Sequence, residues 1–301
     1  LGNVISPDEI LKKYGADILR IWVASSNYAE DLRIDYSILE QNAEAYRKIR
    51  NTFRYLLGNL NDNFSEINFE ELNVKKLPEL EQYMLNKIYF LNHNFQKNFQ
   101  TYSFHNLYKE LLNFCTVDLS AFYFDIRKDT LYCDKIDSDK RKNCILILNI
   151  ILECLLKWFA PILSFTTEEI YSIINKKDKS IHLEKFVKIP DSWNNPILDE
   201  KWNNLKKIRD NCNISIEEKR ASKIIGSSLE ARIEVKLNSK LYEVAKDTDF
   251  AELCITSDAQ ILEDKKISED INVVTFKAEG KKCPVCWKIR KDKCERHGHI
   301  L

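Results

Sequence analysis

Residues 103–134 read SFHNLYKELLNFCTVDLSAFYFDIRKDTLYCD, and we expect the rest of the fold to be built around this stretch. Its apolar residues recur at steps of three or four, which places them on one side of an α-helix. They are Phe104, Leu107, Leu111, Cys115, Leu119, Phe122 and Ile126. A helix of about 25 residues would be about 37 Å long, with Ser103 as its N-cap. A second partial stripe at Tyr108, Leu112 and Phe114 widens the apolar face, so we predict a central helix with partners on two sides.

The composition favours long helices around this centre. Glycine and proline number six each in 301 residues, well below average usage. Acidic and basic residues balance at 46 each, so a polyanionic partner has to be bound by local basic surfaces. No apolar run is long enough for a membrane span and the amino terminus is not a signal peptide, so we expect a cytoplasmic protein with no membrane partner. The chain opens with Leu1 and its only methionine is Met84, so we expect a piece of a longer product.

Nine cysteines are scattered singly, except near the carboxyl end. This pattern is typical of reduced thiols and not of a disulfide framework. We expect Cys115, Cys144 and Cys154 to be small core residues, because they lie on apolar helical faces.

Periodicity predicts further helices over residues 36–60, 79–98, 143–159 and 202–223. Ser6, Pro7 and Glu9 predict a helix start with a capping box, and Gly15 its end. Thr166 with Glu169 predicts the cap of another short helix. After residue 191 the alternation at 231–237 predicts a strand, and two more strands are expected at 253–256 and 272–277. Together these make a small α+β module.

Arg47, Arg50 and Arg54 are spaced three and four apart in the predicted helix 36–60, so they form a row along about two turns. Guanidinium groups in such a row suit a phosphate backbone, which arginine can bind bidentately. The alternative is a solvated face that pairs with Glu40 and Glu44. Both interpretations remain open from these residues alone.

The carboxyl end carries the clearest chemical motif. Cys283-Pro-Val-Cys286 is followed by Cys294-Glu-Arg-His297, and each pair can present two ligands from one tight turn. Three thiolates and an imidazole favour Zn²⁺ over Mg²⁺ or Ca²⁺. His299 is close enough in sequence to compete with His297 as the fourth ligand. A closed site of this kind stabilises the fold and leaves no open position for a reactive water.

Aromatic and basic residues surround this motif, namely Trp287, Lys288, Arg290 and Lys291. A ring with several cations can stack on an unpaired base and bind its phosphates. A structural tryptophan with solvated cations is the equal alternative.

Several segments of this sequence resemble segments of the bacterial isoleucine–tRNA ligases, which are class I aminoacyl-tRNA ligases. CTVDLSAFYFDIRKDTLY is similar to the DLSAFYxDIxKDxLY segment of their anticodon-binding helix bundle. YRKIRNTFR before it, and LKWFAPILSFTTEEIY and KIIGSSLEA after it, stand in the family's order. LGNVISP is similar to the residues that follow their KMSKS signature. KCPVCWK resembles the start of their terminal zinc finger, although only seven residues separate the two pairs and a histidine stands where a fourth cysteine is usual.

The resemblance implies a mainly α fold with an anticodon-binding helix bundle, then a small α+β module and a terminal zinc finger. It implies four parts, with 1–34 as the end of the catalytic core and its stem-contact helices, 35–190 as the bundle, 191–280 as the module and 281–301 as the finger. It also implies an enzyme that joins isoleucine to tRNA(Ile) with ATP and Mg²⁺, through an aminoacyl-adenylate. The HIGH, editing and KMSKS regions match nothing here, so we expect no catalytic residue in this chain and no activity from it alone.

Other functions remain compatible with the same residues. The chain could be an RNA-binding adaptor with a zinc finger, or a helical scaffold that binds proteins. A valine–tRNA ligase fragment is disfavoured by the zinc motif and by DLSAFYFDI. For the isoleucine–tRNA ligase interpretation we expect a monomer.

Overall fold

The computed structural model describes residues 6–61, 64–174, 179–267 and 269–298. The fold is mainly helical with a small sheet, which confirms the coarse prediction. The chain divides into two compact units, the first made of Leu1–Arg127 with Lys135–Asn194 and the second of Lys128–Asp134 with Asn195–Leu301.

The first unit consists mainly of helices. They are α1 (Pro7–Tyr14), α2 (Ala16–Ser25), α3 (Tyr36–Leu60), α4 (Glu79–Gln100), α5 (Phe104–Asn113), a π-helix (Phe114–Tyr123), α6 (Phe124–Cys133, whose end belongs to the second unit), α7 (Asp139–Phe159) and α8 (Ser164–Ile174). Short 3₁₀ turns lie at Phe69–Glu71, Val74–Lys76, Ile181–Leu183 and Asp191–Trp193.

The segment 104–133 is helical throughout, but it is not one regular α-helix. Its middle third is a π-helix of 10 residues, Phe114–Tyr123, in which the Ser120 hydroxyl donates to the Cys115 carbonyl at 2.8 Å. The prediction of a continuous α-helix was therefore wrong in its centre. Its central position is confirmed, because α2 and α4 pack against α5 while α3 packs against the π-helix.

Some of the predicted helix ends are confirmed, but the predicted side-chain caps are not. Pro7 begins α1 and Gly15 ends it with a φ of +86°. Ser6 and Ser103 make no side-chain cap hydrogen bond, so both of those cap predictions were wrong.

The cap predicted at Thr166 was also wrong, because α8 already begins at Ser164. Its first turn is capped from another helix. The Asp17 carboxylate in α2 accepts hydrogen bonds from the backbone N–H groups of Phe165 (3.2 Å) and Thr166 (2.8 Å), and from the Thr166 hydroxyl (2.6 Å). A carboxylate at a helix N-terminus satisfies amides that have no partner within the helix.

Two helices begin earlier than predicted. Helix α7 begins at Asp139, because the Ser138 hydroxyl caps it by accepting from the Arg141 amide at 3.3 Å. In the second unit, α9 (Pro196–Ala221) begins where Pro196 occupies the first turn and Asn195 caps it. Polar residues fill the added turn of α7, so the apolar periodicity did not reveal it. The added turns of α9 hold Pro196, Ile197 and Leu198 ahead of three charged residues, so the apolar pattern is interrupted there.

The second unit is built on α9 and a mixed three-stranded sheet. Strands β1 (Ala231–Leu237), β2 (Asp258–Glu263) and β3 (Ile271–Lys277) lie in the order β2-β1-β3. Strand β1 is parallel to β2 and antiparallel to β3, and α10 (Ser239–Ala245) with α11 (Phe250–Leu253) connects the parallel pair. Helix α9 packs on β3 and β1.

The strand predicted at 253–256 was wrong. Leu253 closes α11, which Asp249 caps by accepting from the Glu252 amide, and β2 begins only at Asp258. A short apolar run does not by itself distinguish a strand from a buried helical turn.

Within the described ranges, no helix is both long and apolar enough to cross a bilayer. Cys115, Cys144 and Cys154 are buried in the core, which confirms their predicted place.

Candidate metal centre and nucleic-acid interface

The two cysteine-containing turns near the carboxyl end have the same backbone design. In the first, the Trp287 amide donates to the Cys283 carbonyl at 3.0 Å, and in the second the Gly298 amide donates to the Cys294 carbonyl at 2.7 Å. Trp287 and Gly298 each follow the second ligand position and have φ values of +63° and +70°. Each turn therefore folds back so that its two side chains point the same way. His299 lies outside the described residues.

The first turn lies between two short antiparallel strands, β4 (Lys281–Lys282) and β5 (Ile289–Arg290), which form a hairpin around it. Gly280 enters this hairpin with a φ of +125°, and a Cβ atom there would overlap the Arg290 carbonyl. Strand β5 is fixed at Ser257, whose hydroxyl accepts from the Ile289 amide at 2.6 Å. The metal-ligand candidates are thus supported by the residue that immediately precedes β2 in their own unit.

The candidate ligands converge on one point. The four side-chain ligand atoms of Cys283, Cys286, Cys294 and His297 lie within 4.8 Å of one another. The sulfur atoms of Cys286 and Cys294 are 3.8 Å apart, and His297 Nδ1 lies 3.7 Å and 3.4 Å from the sulfur atoms of Cys283 and Cys294.

These distances fit a tetrahedral zinc ion. Zn–S bonds of about 2.3 Å and Zn–N bonds of about 2.0 Å place two sulfur ligands about 3.8 Å apart, and sulfur and nitrogen about 3.5 Å apart. The three cysteines are buried and His297 is half-buried, so four ligands would leave no open position for a substrate. The arrangement suits a structural ion and not a catalytic one.

The electrostatics of Cys283 also suit a metal ligand. Burial raises the pKa of its thiol, but the backbone N–H groups of Cys286 and Val285 lower it, and the net pKa falls to about 6. Burial raises the pKa of Cys286 to about 12. Because the thiolate is the form that binds a metal, Cys283 is ready for coordination at neutral pH.

Several of the aromatic and basic residues around the metal centre are engaged in contacts with other residues of the chain. Trp287 is 57% exposed, and Lys282 Nζ lies 4.9 Å from the centre of its ring, a cation–π contact that sequence reasoning missed. Lys288 is half-buried. The Arg290 guanidinium donates to the Ser257 carbonyl, and Lys291 pairs with Glu279 at 3.1 Å.

Arg47, Arg50 and Arg54 are all exposed on α3, as a basic row requires. Arg47 pairs with Glu44, whereas Glu40 is held by the Tyr14 hydroxyl at 2.6 Å and by Lys13 at 3.4 Å. Within the described residues, no carboxylate pairs with Arg50 or Arg54. Lys48 is exposed beside them and adds to the same basic surface, although the arginine spacing did not single it out.

Comparison with known proteins shows the family to which the chain belongs. The family model described as "Anticodon-binding domain of tRNA ligase" matches residues 81–235, just over half of the chain. The chain belongs to this family of anticodon-binding domains. A second model, described as "tRNA synthetases class I (I, L, M and V)", matches residues 1–35.

The curated relatives of this anticodon-binding chain carry the name isoleucine–tRNA ligase, which confirms the resemblance that the sequence phrases indicated. The protein from Pelagibacter ubique is 68% identical over 297 residues, which cover 99% of this chain and 33% of the relative. The protein from Agrobacterium fabrum is 40% identical over 301 residues, which cover 97% of this chain and 31% of the relative. The chain thus spans about a third of the length of the relatives it matches.

A solved structure supports the fold of this anticodon-binding chain. Agrobacterium radiobacter LeuRS, crystallised in a ternary complex with tRNA and LeuAMS, aligns with 79% of this chain and 23% of its own. The TM-score is 0.50 and the sequence identity is 11%, so this likeness bears on the fold alone.

Proposed function

We propose that this chain is the carboxyl-terminal, anticodon-arm-binding portion of an isoleucine–tRNA ligase. Membership of the anticodon-binding family is the observation that carries this proposal. The complete enzyme attaches isoleucine to tRNA(Ile) using ATP and Mg²⁺. Binding energy made here, far from the reacting groups, would orient the acceptor end of the tRNA in a catalytic domain outside this chain.

The basic row on α3 is the first contact surface of this proposal. Arg47 and Arg54 lie seven positions apart, almost two full turns, so they face the same way about 10 Å from each other. Arg50 lies between Arg47 and Arg54 along the helix axis. Arg50 and Arg54 are both exposed, and no carboxylate of the described residues pairs with either of them. Such guanidinium groups can bind successive phosphates of an RNA strand.

The second contact surface lies beside the metal centre. Cys283, Cys286, Cys294 and His297 hold one Zn²⁺, which when bound supplies folding energy to the hairpin that presents Trp287. The exposed ring of Trp287 stacks on an unpaired base, while Lys288 and Lys291 lie near its phosphates. Arg290 contributes mainly by fixing the hairpin, since its guanidinium donates to the Ser257 carbonyl.

The four-part organisation of the chain is also part of this proposal. Residues 1–34 end the class I core, an assignment that the match at 1–35 supports. Residues 35–190 form the anticodon-binding bundle, residues 191–280 the α+β module and residues 281–301 the zinc finger. We expect a monomer.

Salt-dependent binding to tRNA(Ile) transcript tests the proposal. Affinity should fall linearly with salt on logarithmic axes, because bound arginines release counterions from the phosphates. Replacing Arg47, Arg50 and Arg54 together with alanine should reduce that slope by about 2 to 3, about one for each lost phosphate contact. The matched control replaces the exposed Lys240, Lys266 and Lys277 with alanine, which removes the same charge from the other unit.

Equal slopes for the arginine variant and the lysine control would contradict the assignment of the basic row. The Arg47–Glu44 pair favours one alternative, a protein-binding scaffold with a solvated α3 face. That alternative predicts no tRNA binding even at low salt. Pyrophosphate exchange should be absent from this chain alone, and turnover there would contradict the assignment of the chemistry to a separate domain.

A further inference from the structure

The second cysteine turn of the metal centre is held from outside by a segment far away in sequence. Arg296, which immediately precedes His297, donates from Nε to the Asp134 carboxylate at 2.7 Å and pairs with the Asp129 carboxylate. Its Nη2 also donates to the Asp129 carbonyl at 3.2 Å. Asp129 lies near the end of α6 and Asp134 immediately follows it, both in the segment Lys128–Asp134 that belongs to the second unit.

The same helix end fixes the ring of His297. The Nε2 atom of His297 lies 3.0 Å from the Cys133 carbonyl. A carbonyl can only accept a hydrogen bond, so the proton of the neutral imidazole is on Nε2 and the lone pair is on Nδ1. Nδ1 is the nitrogen that points at the cysteine sulfur atoms.

We infer that the end of α6, through Asp129, Asp134 and the Cys133 carbonyl, is the outer shell of the metal site. Asp129 and Asp134 act through Arg296, and Cys133 acts through the ring of His297. All are positioning residues and none is itself a ligand. Hydrogen-bonded partners of this kind fix the tautomer and orientation of a metal-binding histidine, and their loss costs about 10- to 100-fold in metal affinity.

The carboxylates suit this role because they are largely covered. The side chains of Asp134, Asp129 and Arg296 are 15%, 26% and 29% exposed, so the pairs are much less screened than surface ion pairs. Two carboxylates on one guanidinium leave Arg296 little freedom to rotate. The backbone of the adjacent His297 is held with it.

This inference rests on the proposed zinc site, and zinc affinity tests both. The apparent zinc affinity of the whole chain is measured by competition with a chromophoric chelator, for the natural chain and for the Asp129→Asn, Asp134→Asn double variant. We expect the double variant to lose about 10- to 100-fold in affinity. Asp137→Asn is the matched control, because it removes an exposed carboxylate three residues beyond Asp134.

A natural chain that binds no zinc would overturn the metal site itself. A natural chain that binds zinc, with a double variant equal to Asp137→Asn, would overturn only the outer shell. Restoring carboxylates with Asp129→Glu and Asp134→Glu should recover part of the lost affinity.

Two further measurements separate orientation from general stability. The ¹⁵N chemical shifts of His297 should report a metal-bound Nδ1 and a protonated Nε2 in the natural chain, and in the double variant the ligand-field bands of bound Co²⁺ should shift. Cys133→Ala keeps the carbonyl and removes the thiol. If that variant lost as much zinc affinity as His297→Ala, the thiol would be a ligand and the positioning role would be wrong.

Discussion

At the scale of single residues, the core of the first unit contains an ion pair that no local pattern indicates. Arg127 donates from Nε and Nη2 to the two carboxylate oxygens of Glu81 at 2.6 Å and 2.7 Å, and the Tyr123 hydroxyl donates to the same carboxylate at 3.2 Å. Glu81 is fully buried and Arg127 is 3% exposed. The partner groups replace the water that both charges lose.

Removing one member of this pair should be strongly destabilising. Arg127→Met leaves the Glu81 carboxylate buried without its cation, and we expect a loss of about 3 to 5 kcal/mol in the free energy of unfolding. Urea denaturation followed by far-ultraviolet circular dichroism measures it. Arg220→Met is the control, because Arg220 pairs with Glu217 on the exposed face of α9 and should cost less than about 1 kcal/mol. Similar losses for the two variants would contradict the structural importance of the buried pair.

Residue spacing explains why some of these features were predictable. The four metal-ligand candidates form two local motifs, so their spacing alone placed them together. Glu81 and Arg127 are single charges on apolar helices, 46 positions apart, and only the packed structure brings them into contact. Asp129 and Asp134 are even more remote from Arg296, 167 and 162 positions away, so the sequence offered no signal for the outer shell.

At the scale of elements, α3 shows both the strength and the limit of periodicity. Its bounds at Tyr36 and Leu60 agree with the prediction. The cap of this helix is Asp35, whose carboxylate accepts hydrogen bonds from the Ser37 hydroxyl at 2.7 Å and the Ile38 amide at 2.8 Å. These bonds, with that from Ser37 the larger cause, lower the pKa of Asp35 below its ordinary value.

The cap should make the stability of α3 depend on pH. A carboxyl whose pKa is lower in the folded state stabilises that state above its unfolded pKa, and the contribution disappears as the pH falls through the folded pKa. The side-chain amide of an Asp35→Asn variant would still cap the helix but would not titrate. We therefore expect the natural chain to lose more stability than the variant between neutral pH and about pH 3. Thermal unfolding across that range measures the difference, and parallel pH profiles would contradict the role of the carboxylate.

The π-helix shows what periodicity could not provide. Residues 114–123 have an apolar pattern that fits steps of three or four, as the neighbouring α-helical turns do, yet their backbone bonds reach one residue further. The Phe124 amide, for example, donates to the Leu119 carbonyl. Segments of π-helix are rare enough that a sequence pattern does not predict them.

At the scale of the whole molecule, chain order and spatial grouping differ at one place. Lys128–Asp134 precedes most of the second unit by more than 60 residues, yet its contacts group it with that unit. The metal centre explains part of this grouping, since Arg296 and His297 bind this segment directly. The sequence pattern predicted a separate α+β module after residue 191. It did not indicate that an earlier segment would group with that later unit.

Removing the metal should therefore affect two separated stretches of sequence together. We expect a zinc chelator to reduce the hydrogen-exchange protection of backbone amides in residues 281–298 and 128–134, because metal binding and folding of the centre are coupled. The amides of α3, α4 and α7 should keep their protection, since their contacts do not involve the ligands. Exchange measured by mass spectrometry on the intact chain distinguishes these regions.

The Cys283→Ser variant is the control, because it should show the same loss before the chelator is added and little more afterwards. A loss confined to 281–298 would contradict the coupling, and a uniform loss along the chain would show that the ion stabilises far more than its own surroundings.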